Sequence, residues 1–179
     1  MASYELSAFD RRFQSISLVA AVEQQSPYNL NIGFWLRDPN QLMQWPEMVQ
    51  EHPRQDFLWE HTCFEIFLGV QGEDFYREIN LSPSQAWQVY QFEEYRYPED
   101  MPPQTAYDIE LNQLKRTHYG LNVSVDLTDF MAAHKLKWEN LFLGLSAVLK
   151  TSQGEQFYAM QHSSPQADFH NKRDWLHVF

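Results

Sequence analysis

The chain has 179 residues, with 13 Lys and Arg against 24 Asp and Glu, for a formal charge of −11. That excess excludes a nucleic-acid binder, which needs clustered cations to release counterions, and a protein that docks on an anionic membrane surface. The 16% aromatic content excludes a disordered chain, and a single cysteine, Cys63, excludes an internal disulfide framework or a multi-cysteine zinc site.

About 180 residues make one domain, long enough to bury roughly 70% of the unfolded surface. Residues 3–9, 13–22 and 28–37 alternate apolar and polar side chains and are read as strands, the third with Leu30, Ile32, Phe34 and Leu36 on one face. The apolar stretch 16–22 is only seven residues long and is broken upstream by Gln14 and Ser15, so it is read as strand and not as a signal segment. No run of about 18 apolar residues is present, and the expected location is the cytoplasm.

Residues 38–58 form a long polar connection holding Pro39, Pro46 and Pro53, which Leu42, Trp45, Met48 and Phe57 are expected to pin down. Strands are then read over 61–70, 74–81 and 86–92, a proline-rich break over 98–103, and strands over 107–116 and 119–127 around a turn at Thr117 and His118. Residues 128–137 are the one short helix, with Thr128 or Asp129 near its N-cap. Strands at 141–150, 156–161 and 175–179 complete the chain. Short strands with turns between them indicate an all-β fold, and the expected architecture is a two-sheet antiparallel β-sandwich, jelly-roll or immunoglobulin-like, as a single domain over 1–179.

The segment from 57 to 96 concentrates the chemistry. In strand 63–68, Phe64, Ile66 and Leu68 point one way and Cys63, Glu65 and Phe67 the other; in 76–81, Ile79 and Leu81 oppose Tyr76, Glu78 and Asn80. A hairpin turning at Gln71 and Gly72 sets Glu65 against Glu78 and Cys63 against Asn80. A slip of two residues sets Glu65 against Asn80 and keeps both faces, whereas a slip of one scrambles them. The second face thus mixes carboxylates, an amide and aromatic rings. It is either a solvated face or a pocket wall, and two like charges directly opposite one another call for a proton, a cation or a ligand between them.

Around this hairpin, Trp59 and Trp87 are candidates for either core or site. Arg96 is placed to neutralise the glutamates or to grip a ligand's paired oxygens. The loop from His162 to Asn171 gathers polar groups. His162, Asp168 and His170 can ligate a metal, but their spacing matches no zinc signature. Asx-type turns with histidines bonded to backbone groups, or the rim of a site, read equally well. The reading calls for no metal and no cofactor.

Residues 58–68, with Trp59, Cys63, Phe64 and Glu65, followed by Tyr76 to Ser84, Phe92 to Arg96, Leu143 to Val148 and Asp168 to His170, resemble the DOMON-like bacterial proteins. These are similar in fold to the family 9 carbohydrate-binding modules. The resemblance implies a β-sandwich that binds a sugar-like small molecule without catalysis, with Trp59, Glu65, Asn80 and Arg96 as the matching ligand contacts. Arg77 departs from the pattern, which more often has an aromatic there. The expected ligand-binding set is therefore Trp59, Glu65, Glu78, Asn80, Trp87, Arg96, His162 and His170. Three alternatives stand beside it. One is a glycoside hydrolase using Glu65 and Glu78. Another is a haem binder with His61, Met101, His162 or Met160 as axial ligand. The third is an assembly role through exposed sheet edges.

Overall fold

The structure is a computed structural model and describes residues 1–179 apart from Ser26 and Val178. Ten strands form in chain order: β1 (Ala2–Ala8), β2 (Ser17–Gln25), β3 (Asn29–Arg37), β4 (Cys63–Val70), β5 (Tyr76–Leu81), β6 (Trp87–Phe92), β7 (Glu110–Thr117), β8 (Gly120–Asp126), β9 (Leu141–Thr151) and β10 (Gly154–Ala159). The single α-helix, α1, is short (Thr128–Ala133). It starts at Thr128, where the start was expected, with Leu127 at the N-cap; just before it the Asp126 carboxylate accepts from the Thr128 N–H at 2.9 Å and from the Thr128 hydroxyl at 2.6 Å.

All strand pairs are antiparallel, in the order β6-β5-β4-β9-β10-β1-β2-β3-β8-β7. The expected pair of sheets is in fact one curled sheet. Strand β1 joins its halves, because Ala2 to Leu6 pair with β2 whereas Ser7 and Ala8 pair with β10. The two halves curl over a shared core. Leu30, Ile32, Phe34 and Leu36 of β3 are all buried there as their alternation predicts, and the Phe34 ring lies 4.9 Å from that of Phe64 on β4. The β6 edge is covered by its neighbours: Trp87 exchanges backbone bonds with Pro53 and Gln55, and Val89 and Gln91 bond residues 104 and 106.

The connection over 38–58 is tied down at different points from those expected. Leu42 and Trp45 pack on the core, but Met48 and Phe57 stay exposed. The anchor that composition hides is Arg54. Its guanidinium donates to the carbonyls of Ala106 and Ile109 and lies 4.1 Å over the Trp87 ring. The unusual Arg77 is likewise a structural residue. It is buried, donates to both oxygens of Asp108, and faces the Phe130 ring at 5.2 Å.

Strands β4 and β5 are buried along their whole lengths, so both of their faces are covered. The core covers one. The C-terminal segment covers the other, and it is not the strand expected over 175–179: residues Lys172–Asp174 form a 3-10 turn, Leu176 makes one bridge to Leu143, and Val178 lies outside the described residues. Two contacts seat this segment. Lys172 donates to the carbonyls of Glu73, Asp74 and Phe75 in the β4–β5 loop. Trp175 lies flat on β9 at Gly144, where an added Cβ would come within 2.4 Å of the indole. Gly144→Ala should therefore unseat Trp175 and cost about 1–3 kcal/mol in urea unfolding, whereas a wild-type midpoint would show that the segment does not close this face.

Candidate functional site

Strand alternation decides what the covered face contains. With Phe64, Ile66, Leu68, Ile79 and Leu81 in the core, the opposite face receives Cys63, Glu65 and Phe67 from β4, and Tyr76, Glu78 and Asn80 from β5. The register is the two-residue slip. Glu65 opposes Asn80, and Phe67 opposes Glu78. A loop of residues 71–75, with Gly72 in the left-handed region and Lys172 bonded across it, replaces the tight turn at Gln71 and Gly72. Glu65 and Glu78 are consequently diagonal neighbours and not directly opposed.

Both carboxyls open on a cavity of about 470 Å³. Trp59, Phe92, Phe157 and Phe169 supply its aromatic walls, and Pro98 and Met101 its rim. Five of the eight expected residues line it: Trp59, Glu65, Glu78, Arg96 and His170. Asn80 is wholly buried on the same face, and neither its amide nitrogen nor its oxygen has a hydrogen-bond partner.

The other two lie elsewhere. Trp87 points to the core face, where its indole N–H donates to the His52 carbonyl at 3.0 Å. The alternation of β6 sends Tyr90 and Phe92, not Trp87, to the site face. His162 bonds the Ser7 carbonyl at 2.8 Å, at a separate hollow by β1. That hollow is larger, about 910 Å³, but the strongly shifted ionisable groups are at the smaller cavity. His162 is thereby separated from Asp168 and His170. No group of three or more His, Cys, Asp or Glu side chains is placed to hold a metal among the described residues.

Five hydrogen-bonded residues, Tyr76, Tyr95, Arg96, Asp168 and His170, organise the cavity's far wall; alternation placed Tyr76 on this face without its role. The Tyr76 hydroxyl accepts from the Arg96 backbone N–H at 3.1 Å and meets His170 Nδ1 at 2.7 Å. With the Arg96 N–H on its oxygen, the Tyr76 hydroxyl still has its own proton to give to Nδ1. That assignment leaves the His170 proton on Nε2, 3.6 Å from Glu78 Oε2. The imidazole is boxed in by the edges of Phe67 at 5.0 Å and Phe92 at 5.1 Å. Arg96 donates to Asp168 at 2.9 Å, and the Tyr95 hydroxyl donates to the other oxygen of the same carboxylate at 2.7 Å. Asp168 thus anchors the arginine that the sequence reading aimed at the glutamates. On the neighbouring wall, Asp56 accepts from the Tyr90 hydroxyl and from Gln88.

Burial dominates the ionisation of these groups. It pushes Glu78 up to about 7, with Asn80 and the Arg96 charge pulling it partly back. Burial and then the Glu78 charge push Glu65 well above the usual carboxylate range, against a long hydrogen bond from Ser146 at 3.4 Å and the pull of Arg96. Burial and the Arg96 charge lower His170 to about 3, against Asp168. Asp168 goes the other way: burial raises it, but the bonds from Tyr95 and Arg96 outweigh that and leave it lowered. At neutral pH the site therefore holds a neutral imidazole beside carboxyls that retain protons.

Comparison with known proteins bears on the fold. The sequence matches no protein-family model and no curated protein sequence. The structure is similar to a solved one described as a "putative carbohydrate-binding protein" from Bacteroides uniformis ATCC 8492, with a TM-score of 0.67 over 98% of this chain and 84% of that one, at 10% identity. At that identity the likeness is one of fold.

The shifted groups give the pH dependence its sign. Glu78 holds its proton more tightly folded than unfolded, so stability is lost as pH rises from about 4.5 through about 7. His170 is the reverse, and its contribution is lost as pH falls from about 6.5 towards 3. Glu78→Gln removes the first effect and, with it, the push of the Glu78 charge on Glu65. Relative to wild type, it should gain stability steadily between pH 5 and pH 8, up to about 3 kcal/mol, in denaturant melts across that range. A pH-independent difference would mean that Glu78 titrates as a solvated carboxylate.

Proposed function

We propose that this chain is a non-catalytic module that binds a carbohydrate or a similar small polar ligand in the cavity over β4 and β5. The observation that carries this reading is the cavity's make-up: aromatic rings on several sides, with Glu65, Glu78, Arg96 and His170 converging on one space. A sugar presents C–H faces that pack on rings and hydroxyls that bond polar groups, which such a lining complements. The protonated carboxyls can both donate to and accept from hydroxyls. The fold likeness to a "putative carbohydrate-binding protein" supports the reading. So does the resemblance of the sequence to DOMON-like proteins and family 9 modules, which we retain as its finer form.

The alternatives draw less support. A glycosidase needs its two carboxyls held in opposite states, one protonated and one ionised, but burial moves Glu65 and Glu78 in the same direction. The haem ligand candidates are dispersed. His61 is exposed, Met160 packs on the core, His162 is at the other hollow, and Met101 alone stands at the cavity.

Calorimetric titration against sugars picked from a glycan array tests the proposal. Trp59→Ala removes an aromatic wall of the cavity and should weaken binding about tenfold, with an unchanged far-UV spectrum showing that the fold is kept. Glu65→Ala, which removes the hydrogen-bonding group altogether, should weaken it by a comparable factor. Failure of every sugar to bind, or binding indifferent to both changes, would falsify the proposal.

A further inference from the structure

Resting on the reading of this cavity as the ligand site, we propose that the ligand carries a cationic nitrogen, as a sugar with a free amine does, and that this ammonium sits between Glu65 and Glu78. Four carboxyl groups line the cavity, Glu65, Glu78, Glu99 and Asp100, against a single guanidinium, Arg96. Arg96 is already committed to Asp168 at 2.9 Å. Among the described residues, none of the four acids pairs with a lysine or arginine; their neighbours are uncharged, Ser146 on Glu65, Gln104 on Asp100 and the neutral His170 at 3.6 Å from Glu78.

Glu78 and Glu65 are 6% and 3% exposed and both open on the cavity, with the fully buried Asn80 carboxamide beside Glu78. Two buried carboxyls on one wall are costly unless something satisfies them. A neutral sugar can bond the protonated acids but leaves the charge of Glu99 and Asp100 at the rim unopposed, and an acidic sugar adds to it. An ammonium pairs with both carboxylates, and the rings of Trp59, Phe92, Phe157 and Phe169 present the π-faces and edges that accompany a desolvated cation.

Glu65 and Glu78 hold protons where the ligand's charge would go. Ammonium binding therefore releases protons from Glu65 and Glu78. The groups facing them from the surrounding elements are Tyr76, Arg96, Asp168 and His170, with Glu99 and Asp100 at the rim; of these, Arg96 aids the ionisation and the other acids oppose it.

The test is isothermal titration of the full chain at pH 7, in two buffers of different ionisation enthalpy. The probes are three free-amine hexosamines (gluco, galacto and manno), their N-acetylated forms, and tetramethylammonium. At least one free-amine sugar should bind about tenfold or more tighter than its N-acetylated form, releasing protons to the buffer. Glu78→Gln should bring the free-amine sugar's affinity down to no more than that of its N-acetylated form and remove the proton release. Equal or tighter binding of the acetylated sugars overturns this inference and leaves the carbohydrate reading intact. Binding of tetramethylammonium that depends on Glu78, with no sugar bound, upholds the cationic ligand and overturns the carbohydrate reading. Silence from every probe overturns both.

Discussion

Everything at this site follows from the two-residue periodicity of β4 and β5 under burial from both sides. Once Phe64, Ile66, Leu68, Ile79 and Leu81 are committed to the core, Glu65, Glu78 and Asn80 have nowhere to go but the opposite face. On an ordinary sheet that face would meet water and two glutamates would be unremarkable. Here all positions of both strands are buried, so the same alternation that builds the core also loads the second face with groups that want solvent, a proton or a partner.

The C-terminal segment turns that face into a site. It is fixed at several points of different chemistry: Lys172 on the carbonyls of the β4–β5 loop, Trp175 on the flat patch at Gly144, Asp168 on Arg96, and His170 on Tyr76. Each anchor also shapes the cavity. Asp168 takes up the arginine charge that would otherwise neutralise the glutamates, and Tyr76 fixes the imidazole tautomer while the surrounding rings keep it neutral. Seating the segment and desolvating the carboxyls are one event, which is why the acidic pair and the imidazole shift in opposite directions for the same cause.

Much of this was legible in the sequence where a period governs it. The faces of β3, β4, β5 and β6 follow alternation residue by residue, and with them the grouping of Glu65, Glu78 and Asn80. What depends on pairing partners was less accessible. The hairpin register rests on a loop held by Lys172, about a hundred residues away in the chain, and local turn signals favoured the tighter turn. Trp87 was misplaced although its own alternation with Tyr90 and Phe92 already sent it to the core face, because aromatic content was weighed ahead of phase. His162 and His170 share one loop in sequence, but the chain runs from β1 to the cavity between them. The curl of two expected sheets into one comes down to Ser7 and Ala8 of β1 changing partner, which no composition announces. Arg54 was missed because an arginine in a proline-rich loop has no signature beyond what it touches; Tyr76 was on the right face by alternation, but its bond to His170 across 94 residues was not legible.

The central claim is that Glu65 and Glu78 are buried, proton-holding walls of a ligand cavity and not part of a solvated face. Titration of the glutamate side-chain carboxyls by carbon-13 NMR, assigned through Glu65→Gln and Glu78→Gln, measures it directly. The account predicts one carboxyl titrating near 7, assigned to Glu78, and a second, Glu65, displaced well upward. Titration of both at the ordinary glutamate value of about 4.3 would contradict it.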